Sequence, residues 1–300
     1  MLEKWLKKNT RSLAGKTVAI TGSTGGLGKP LCRYLASLGA SLILLDRNEA
    51  RSCAHREALL SEFPNCRITL LRTDLSDMAS VRAATARLLA APPDIFIHNA
   101  GAYSIPRHTC DTGYDNVFQI NFISPYYMIR SLLPALRHNK GLAMAVGSIA
   151  HDYSVTDPAD VDFATRKRAS LVYGNAKRYL MFSLYALFRH EHDARLAITH
   201  PGITFTGITA HYPPALFALI KHPMKVIFMR PAKAALSLLA GIFTPCAHLE
   251  WIGPRVCNVW GLPKKRTLTT CAEQEQARIA HTAEDIFLAL QSNEKENAHG

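Results

Sequence analysis

The 300-residue chain is 48% apolar and 19% charged, which is typical of a globular protein that buries a sizeable core. Its net charge of +12 would suit nucleic acid or an anionic membrane, but the basic residues lie in short separate clusters without interleaved aromatic side chains, and we expect no nucleic-acid partner. The seven cysteines include no Cys-x-x-Cys pair, so we expect reduced thiols and no metal site. Because no apolar stretch of signal-peptide length follows the basic start, a cytoplasmic location is expected.

Apolar, β-rich runs alternate with helical patterns from residue 17 to about residue 200, which is typical of parallel strands joined by crossover helices. Runs such as Leu42–Leu45 are apolar throughout, so both faces of the sheet should be covered. The pattern predicts an α/β fold, a single Rossmann-type doubly wound parallel sheet with helices on both faces. The predicted strands are Thr17–Thr21, Ser41–Leu45, Arg67–Leu71, Asp94–His98, Leu142–Gly147 and Arg195–His200, and the predicted helices are Gly26–Leu38, Asp77–Ala90, Asn116–Arg137 and Leu171–His192.

After His200 the alternation gives way to Pro-rich and apolar segments, then a helix from Pro231 to about Ile242 and a polar helix after Thr269. We interpret this last third as an extension that closes over the site. Residues 1–300 are thus expected to form one domain, with a dinucleotide-binding and catalytic core over 14–200 and a substrate loop and C-terminal helices over 201–300.

The first predicted strand runs directly into a glycine-rich loop, which is followed by an apolar helix. Backbone amides at a helix N-terminus bind a pyrophosphate, and they can approach it closely where glycine provides no Cβ. This placement predicts a dinucleotide site rather than an ordinary turn. The residues expected to bind the cofactor there are Thr21, Gly22, Ser23, Thr24, Gly26, Leu27 and Gly28.

Two adjacent residues after the second strand point to different cofactors. Asp46 could accept hydrogen bonds from both adenosine ribose hydroxyls, which favours NAD, whereas Arg47 could pair with the 2′-phosphate of NADP. The choice between NAD and NADP stays open, with a slight preference for NAD. Asp74 and Leu75, after the third strand, are expected at the adenine, and Asn99-Ala100-Gly101 after the fourth strand are expected on the nicotinamide side.

Tyr173 and Lys177 are four residues apart in a predicted helix, so a phenol and an ammonium share one face. A phenol beside a cation ionises more readily, which would suit proton transfer to or from an alcohol oxygen. The pair alone is weak evidence, since this spacing arises often by chance.

Several motifs in order resemble the short-chain dehydrogenase/reductase family over residues 14 to about 210. The segment between Ser148 and Tyr173 is long and carries an acidic-then-basic stretch over 157–168, which is similar to the retinol-dehydrogenase-like branch. The matching residues are Thr21-Gly-x-x-x-Gly26-x-Gly28, Asn99-Ala100-Gly101, Asn121, Ser148, Tyr173-x-x-x-Lys177, and Pro201-Gly202 followed by Thr206.

The resemblance implies an NAD(P)-dependent oxidoreductase that interconverts an alcohol and a carbonyl. Tyr173 would be the general acid/base, and Lys177 would lower its pKa and bind the nicotinamide ribose. Ser148 would hold the substrate oxygen, and Asn121 would bend its helix and help to hold a water. Further contacts with the cofactor are implied for Pro201, Gly202, Ile203 and Thr206.

Two residues depart from the family's pattern. His98 stands where the family often has an asparagine. Asp46 replaces the small or neutral residue that is usual before the arginine in NADP-preferring retinol-type enzymes. The second departure leaves the cofactor undecided.

The apolar stretch His211–Met229 follows the Pro-Gly motif, where the family has its substrate loop, and indicates a small hydrophobic substrate such as a retinoid, steroid or lipid aldehyde. The same side chains could instead be ordinary core. Lys221, Lys225 and the start Trp5–Lys8 allow weak contact with a membrane surface. The resemblance also implies a possible homodimer through the predicted helices 116–137 and 171–192.

Two competing functions stay open at this stage. A dinucleotide-binding sensor or scaffold could use the same fold without turnover, although such proteins typically lack the tyrosine or the lysine that this chain retains. A nucleotide-sugar epimerase of the extended branch fits less well, because the early glycine pattern and the short last third match the shorter enzymes.

Overall fold

The computed structural model describes residues 2–203 and 229–297, with side chains as far as residue 292. Its strands are β1 Thr17–Thr21, β2 Ser41–Asp46, β3 Ile68–Arg72, β4 Ile95–His98, β5 Leu142–Val146, β6 Arg195–Thr199, β7 Glu250–Val256 and β8 Trp260–Thr267. Within these ranges they form one eight-stranded sheet in the order β3-β2-β1-β4-β5-β6-β7-β8. The pairs from β3 to β7 are parallel, and β8 is antiparallel to β7.

Helices cover both faces of this sheet, which confirms the predicted doubly wound fold. Successive residues of a strand point to opposite faces, and β1 shows the result: Val18 and Ile20 pack with Leu31 of α2, whereas Ala19 belongs to the core on the other face. The helices are α1 Leu2–Asn9, α2 Gly28–Ser37, α3 Glu49–Glu62, α4 Met78–Ala90, α5 Asn116–Phe118, α6 Ser124–His138, α7 Ala169–Leu187, α8 Pro231–Phe243 and α9 Glu273–Asn297.

The structure contains elements that the sequence pattern did not predict. Helix α3 buries only Ser52, His55 and Leu59, so its sequence lacks the apolar repeat that marks an amphipathic helix. Strands β7 and β8 both contain proline, with Pro254 opposite Pro263 in the hairpin, and proline normally argues against a central strand. They form strands nevertheless, because β7 pairs with β6 at the edge of the sheet and β8 pairs with β7.

The C-terminal helix α9 packs against α6 and α7. The ring of Phe287 lies 5.5 Å from that of Tyr127, and Glu284 accepts a hydrogen bond of 3.0 Å from Arg130. The predicted homodimer would use the faces of α6 and α7, and α9 covers part of them. Pairing there would require a face that α9 leaves free.

Of the residues predicted to contact a membrane surface, only the start Trp5–Lys8 is described, and Lys7 and Lys8 are exposed there. Trp5 and Leu6 are partly buried and pack against the core on the α2 side of the sheet. No helix in the described ranges combines the length and apolar character that a membrane span requires. The predicted substrate loop, except Met229, falls in 204–228, outside the described residues. The single domain over 1–300 therefore stays a prediction.

Candidate active site

The glycine-rich loop between β1 and α2 closes so tightly that two of its positions need glycine. Gly22 has a φ of +69°, and a Cβ there would lie 2.9 Å from the Cα of Ala100. A Cβ on Gly28 would lie 2.2 Å from the carbonyl oxygen of Gly22. The loop is thereby folded onto itself at the N-terminus of α2, with Gly25 and Gly26 exposed at its outer edge. This cradle fits a pyrophosphate.

Thr21, at the end of β1, connects the glycine loop to the residues after β4. Its hydroxyl accepts hydrogen bonds of 3.1 Å from the backbone N–H groups of Asn99 and Ala100, so its own proton is directed to Nδ1 of His98, 3.1 Å away. Burial and the nearby charge of Lys177 hold the pKa of His98 well below its usual range. His98 is therefore a neutral core histidine that takes the place of the family's asparagine.

Asn99 leaves a buried acceptor beside the glycine loop. Its Nδ2 donates to the carbonyl oxygens of Thr21 at 3.1 Å and Gly22 at 2.9 Å. Its Oδ1 is buried and has no partner among the described residues. A buried acceptor without a partner is costly, so a donor from a ligand or water fits this position.

Asn121 lies in a π-helical turn, Gln119–Ile123, that joins α5 to α6 and interrupts the single helix predicted over 116–137. Its Nδ2 donates to the carbonyl oxygens of Val117 and Ala102, both at 2.8 Å. Its Oδ1 accepts a hydrogen bond of 3.3 Å from the N–H of Ala102 and would lie 3.0 Å from a Cβ on Gly101. Turns of this kind are frequent at functional sites, and this one fixes the chain around Gly101.

Ser148 follows β5 and opens a 3₁₀ turn, Ile149–Asp152, against which helix α7 packs. The hydroxyl of Ser148 accepts a 3.1 Å hydrogen bond from the N–H of Ala150. A Cβ on Gly174 would lie 2.3 Å from the carbonyl oxygen of Ala150. Glycine at this position lets α7 approach the turn closely, and the neighbouring Tyr173 is thereby brought to Ser148.

Lys177 is 1% exposed. Its Nζ donates to the carbonyl oxygen of Val146 at 2.9 Å and lies 5.6 Å from the centroid of the Tyr173 ring. Desolvation lowers the pKa of Lys177 to about 7. Desolvation raises the pKa of Tyr173 to about 12, although a hydrogen bond with Ser148 acts to lower it.

These pKa values differ from the expectation that Lys177 lowers the pKa of Tyr173. The cause is that both groups are taken out of water, and desolvation disfavours the phenolate and the ammonium alike. A lysine whose pKa is near 7 also carries its charge for only part of the time at neutral pH. In this structure, Ser148 is the group that favours the Tyr173 phenolate.

The residues predicted for the adenosine end differ in their surroundings. Asp46 is 6% exposed, and its carboxylate accepts hydrogen bonds from Ser23, Thr24 and Ser52, while Arg47 is exposed. Asp74 accepts a 2.6 Å hydrogen bond from the hydroxyl of Ser76, and Leu75 is buried.

Pro201 and Gly202 follow β6, and Gly202 lies against the β7–β8 hairpin. Gly202 has a φ of +80°, and a Cβ there would lie 2.5 Å from the carbonyl oxygen of Val259. The N–H of Ile203 donates to the same oxygen at 3.4 Å. Thr206, the last predicted cofactor contact, lies outside the described residues.

Sequence reasoning missed a buried polar cluster behind Ser148, which we call the clamp: His151, Thr156, Arg178, Thr270 and Glu275. Arg178 of α7 donates from Nε to Oε1 of Glu275 of α9 at 2.8 Å, and to the carbonyl oxygens of His151 at 2.9 Å and Thr270 at 2.7 Å. Glu275 also accepts from the N–H and the hydroxyl of Thr156, both at 2.9 Å. No spacing rule connects residues so far apart in the chain.

One clamp residue contacts the backbone of Ser148 directly. Nδ1 of His151 lies 2.6 Å from the Ser148 carbonyl oxygen, and its Nε2 lies 2.7 Å from the Thr270 hydroxyl. The carbonyl can only accept, so His151 carries a proton on Nδ1. The clamp thus ties the Ser148 turn to α7 and α9.

The chain is similar in sequence to known proteins. A family model described as short chain dehydrogenase matches residues 16–159. The chain is 31% identical over 219 residues to short-chain dehydrogenase TIC 32 A, chloroplastic, of Brassica napus, covering 67% of this chain and 68% of that protein. It is 28% identical over 254 residues to mouse polyprenol dehydrogenase, covering 80% and 75%, and 28% identical over 207 residues to mouse retinol dehydrogenase 12, covering 66% and 64%.

Solved structures share the fold. An uncharacterized protein of Mycobacterium paratuberculosis superposes with a TM-score of 0.71 at 21% identity, covering 95% of this chain and 96% of that one. The RhlG/NADP active-site complex of Pseudomonas aeruginosa has a TM-score of 0.58 at 25% identity, covering 78% and 91%.

The doubly wound sheet and the glycine cradle define a Rossmann-type dinucleotide-binding protein. The chain belongs to the short-chain dehydrogenase/reductase family, in its retinol-dehydrogenase-like branch. It is an NAD(P)-dependent oxidoreductase of the class that interconverts alcohols and carbonyls.

Proposed function

We propose that the enzyme interconverts a hydrophobic alcohol and its carbonyl, and that Tyr173 exchanges the proton on the substrate oxygen. The observation that carries this proposal is the convergence of Ser148, Tyr173 and Lys177 beside the glycine cradle. The ring of Tyr173 lies 5.6 Å from the Lys177 Nζ, and its phenol bonds with Ser148. A Cβ on Gly101 would lie 3.7 Å from the same Nζ.

The chain's own groups are suited to moving a proton at this point. When bound, the nicotinamide cofactor supplies or accepts the hydride. Tyr173, with a pKa of about 12, holds its proton at neutral pH and can donate it to a carbonyl oxygen that Ser148 positions. Lys177, with a pKa of about 7, is poised to supply or take up a proton beside the phenol.

The residues that we propose for the cofactor lie at the carboxyl ends of β1, β4 and β6. Thr21 to Gly28 would hold the pyrophosphate, Asn99 to Gly101 the nicotinamide half, and Pro201 to Ile203 its outer side. A related structure carries NADP by its description, which supports a nicotinamide dinucleotide here. All seven cysteines are unpaired, which supports a reducing compartment, and we propose the cytoplasm.

The proposed substrate is hydrophobic because of the groups around Tyr173 and the names of two relatives. The ring of Tyr103 meets Tyr173 edge-on, with centroids 5.4 Å apart. On the chain after Ser148, Tyr153 and Val155 are 53% and 64% exposed and add apolar surface next to the tyrosine pair. Relatives named for polyprenol and retinol act on long apolar alcohols by their names. We propose an alcohol or aldehyde of that class.

The experiment is turnover by Tyr173→Phe with NADPH and NADH, using retinal, a prenyl aldehyde and a straight-chain aldehyde as substrates. The variant should fold and bind cofactor but lose activity by roughly 10²- to 10⁴-fold, because the proton donor is gone. Tyr34→Phe, on α2, is the matched control and should retain activity. Wild-type turnover by Tyr173→Phe would show that another group moves the proton.

A further inference from the structure

We infer that His151 is a positioning residue of the reaction: through Nδ1 it fixes the main chain of Ser148 and so keeps the Ser148 hydroxyl beside the phenol of Tyr173. The inference rests on the proposed function, in which Ser148 positions the substrate oxygen for Tyr173. Of the two ring nitrogens of His151, Nδ1 serves the reaction, and Nε2 anchors the ring to the C-terminal segment.

His151 donates two hydrogen bonds to the carbonyl oxygen of Ser148. One comes from its backbone N–H at 3.2 Å, and the other comes from Nδ1 of its ring at 2.6 Å. A carbonyl oxygen has two lone pairs, and these two donors are enough to fill them. A rotation of the peptide plane that follows Ser148 would break both bonds at once. The shorter of the two bonds is the one that the ring makes.

The hydroxyl of Ser148 depends on the same stretch of main chain. Ser148 has an extended backbone, with φ −150° and ψ 146°, directly before the 3₁₀ turn. Its hydroxyl accepts a hydrogen bond of 3.1 Å from the N–H of Ala150 and bonds with the phenol of Tyr173. Because the Cβ of Ser148 moves with the backbone, a rotation there would shift the hydroxyl away from both partners. A misplacement of about 1 Å can lower a rate by roughly 100-fold.

The ring of His151 is held in one orientation inside the protein. It is 2% exposed, and its centroid lies 5.7 Å from the ring of Trp251 and 5.9 Å from that of Phe182. Nε2 lies 2.7 Å from the hydroxyl of Thr270. Because Nδ1 carries the proton, Nε2 is the acceptor and Thr270 donates to it. Burial lowers the pKa of His151, although the hydrogen bond with Ser148 opposes it, and this favours the neutral ring.

The backbone around this ring has support of its own. Arg178 donates to the carbonyl oxygen of His151 at 2.9 Å and to that of Thr270 at 2.7 Å, and it forms an ion pair with Glu275. None of these bonds involves the ring of His151, so a change of that side chain leaves them in place. The protein should therefore fold without the ring, and the effect of losing its contact with Ser148 can be measured.

The variants are His151→Asn and His151→Gln, each of which can replace one ring nitrogen. In asparagine the amide nitrogen is bonded to Cγ, as Nδ1 is in histidine, and it can still donate to Ser148. In glutamine the amide lies one carbon further out, near the position of Nε2, and it can still meet Thr270. His281→Gln is the control, since His281 is exposed on α9.

The test is steady-state turnover of the full-length protein, with the cofactor and the aldehyde that give the wild type its highest rate. His151→Gln should lower kcat and kcat/KM by roughly tenfold or more, whereas His151→Asn should stay within about threefold of the wild type. The affinity for the cofactor should change by less than about twofold in either variant, because the change is confined to the Ser148 turn. His281→Gln should match the wild type throughout.

A role of His151 in packing alone predicts a different order. Asparagine is smaller than glutamine and leaves the larger cavity, so His151→Asn should lose at least as much stability in urea unfolding as His151→Gln. Equal losses of kcat in the two variants, a larger loss in His151→Asn, or wild-type kcat in His151→Gln would overturn the inference.

The wild type also decides the matter independently of either variant. The ¹⁵N chemical shifts of the His151 ring should show a neutral ring with its proton on Nδ1. A neutral ring with its proton on Nε2 would overturn the inference, because Nδ1 could then not donate to the Ser148 carbonyl.

These outcomes are distinguishable from failure of the proposed function. Equal losses in His151→Asn and His151→Gln, with Tyr173→Phe inactive, overturn only the present inference. Wild-type turnover by Tyr173→Phe overturns the proposed reaction, whatever the His151 variants do. A wild type that converts no aldehyde of the panel overturns both.

Discussion

Glu275→Gln tests whether the clamp holds the C-terminal helix α9 against α7. The ion pair between Arg178 and Glu275 is among the most deeply buried in the described residues, with the two side chains 3% and 5% exposed and Nη2 to Oε2 at 2.5 Å. Glutamine can still accept hydrogen bonds from Thr156. It cannot balance the guanidinium of Arg178, which would be left buried without a counter-charge.

The magnitude follows from the pKa of Glu275. Burial alone would raise it, but hydrogen bonds from Arg178 and Thr156 prevail and lower it from 4.5 to about 2. One pKa unit corresponds to about 1.4 kcal/mol, so the interactions of the charged form contribute on the order of 3 kcal/mol. Breaking a buried ion pair by removing one partner costs about 3–5 kcal/mol. We therefore predict that the free energy of unfolding falls by about 3 kcal/mol.

The assay is urea unfolding followed by circular dichroism at neutral pH, for the wild type, Glu275→Gln and the control Glu62→Gln. Glu62 pairs with Arg33 at the surface, with exposures of 41% and 64%, and losing such a pair costs at most about 1 kcal/mol. Because the pKa of Glu275 is lowered by folding, its contribution is complete above pH 4.5 and is lost as the pH falls toward 2. The difference between wild type and Glu275→Gln should shrink over that interval.

Two results would refute this reasoning. One is a loss no larger than that of Glu62→Gln, which would mean that water reaches the clamp and screens the pair. The other is a difference that does not change between pH 4.5 and 2, because the effect would then come from packing rather than from the charge of Glu275.

Gly28→Ala should weaken the binding of NADPH and of NADH by roughly 100-fold or more. The added Cβ would lie 2.2 Å from the Gly22 carbonyl oxygen and force the loop open. Calorimetric titration checks this against Gly253→Ala, where the nearest atom is 3.4 Å away; equal affinities would contradict it. For Lys177→Met, the pH dependence of unfolding is the measurement. Folding lowers the pKa of Lys177 from 10.5 to about 7, so the unfolded state binds the extra proton and wild-type stability should rise with pH between these values. The variant should lack this rise, and matching slopes would count against a buried, largely neutral lysine.

The sheet and the cradle were accessible from the sequence because their causes are local. A strand covered on both faces reads as an unbroken apolar run, as in β2, and loop positions where a Cβ would clash, such as Gly22 and Gly28, are occupied by glycine. Helix α3 was not predicted because it has no such local pattern: only Ser52, His55 and Leu59 are buried in it. Strands β7 and β8 were not predicted because their own composition does not favour a strand. They are strands because β7 pairs with β6.

The site shows a similar division. Spacing placed Tyr173 and Lys177 on one helix face, and chain order placed Ser148 and Asn121 before them. Neither spacing nor order could show how far each group is removed from water, and desolvation is what raises the pKa of Tyr173 and lowers that of Lys177. Nor could they show that Ser52 bonds with Asp46.

The amino-acid sequence by itself determined the alternation of strands and helices up to about residue 200, apart from α3, together with the dinucleotide cradle and the set of polar groups available for chemistry. The tertiary structure decided which of those groups are free to act. Hydrogen-bonding capacity and hydration depend on every neighbour in space, and those neighbours are distant in the chain. Ser23, Thr24 and Ser52 already donate to the carboxylate of Asp46, and Glu275 bonds with Arg178 of α7 from the far end of the chain.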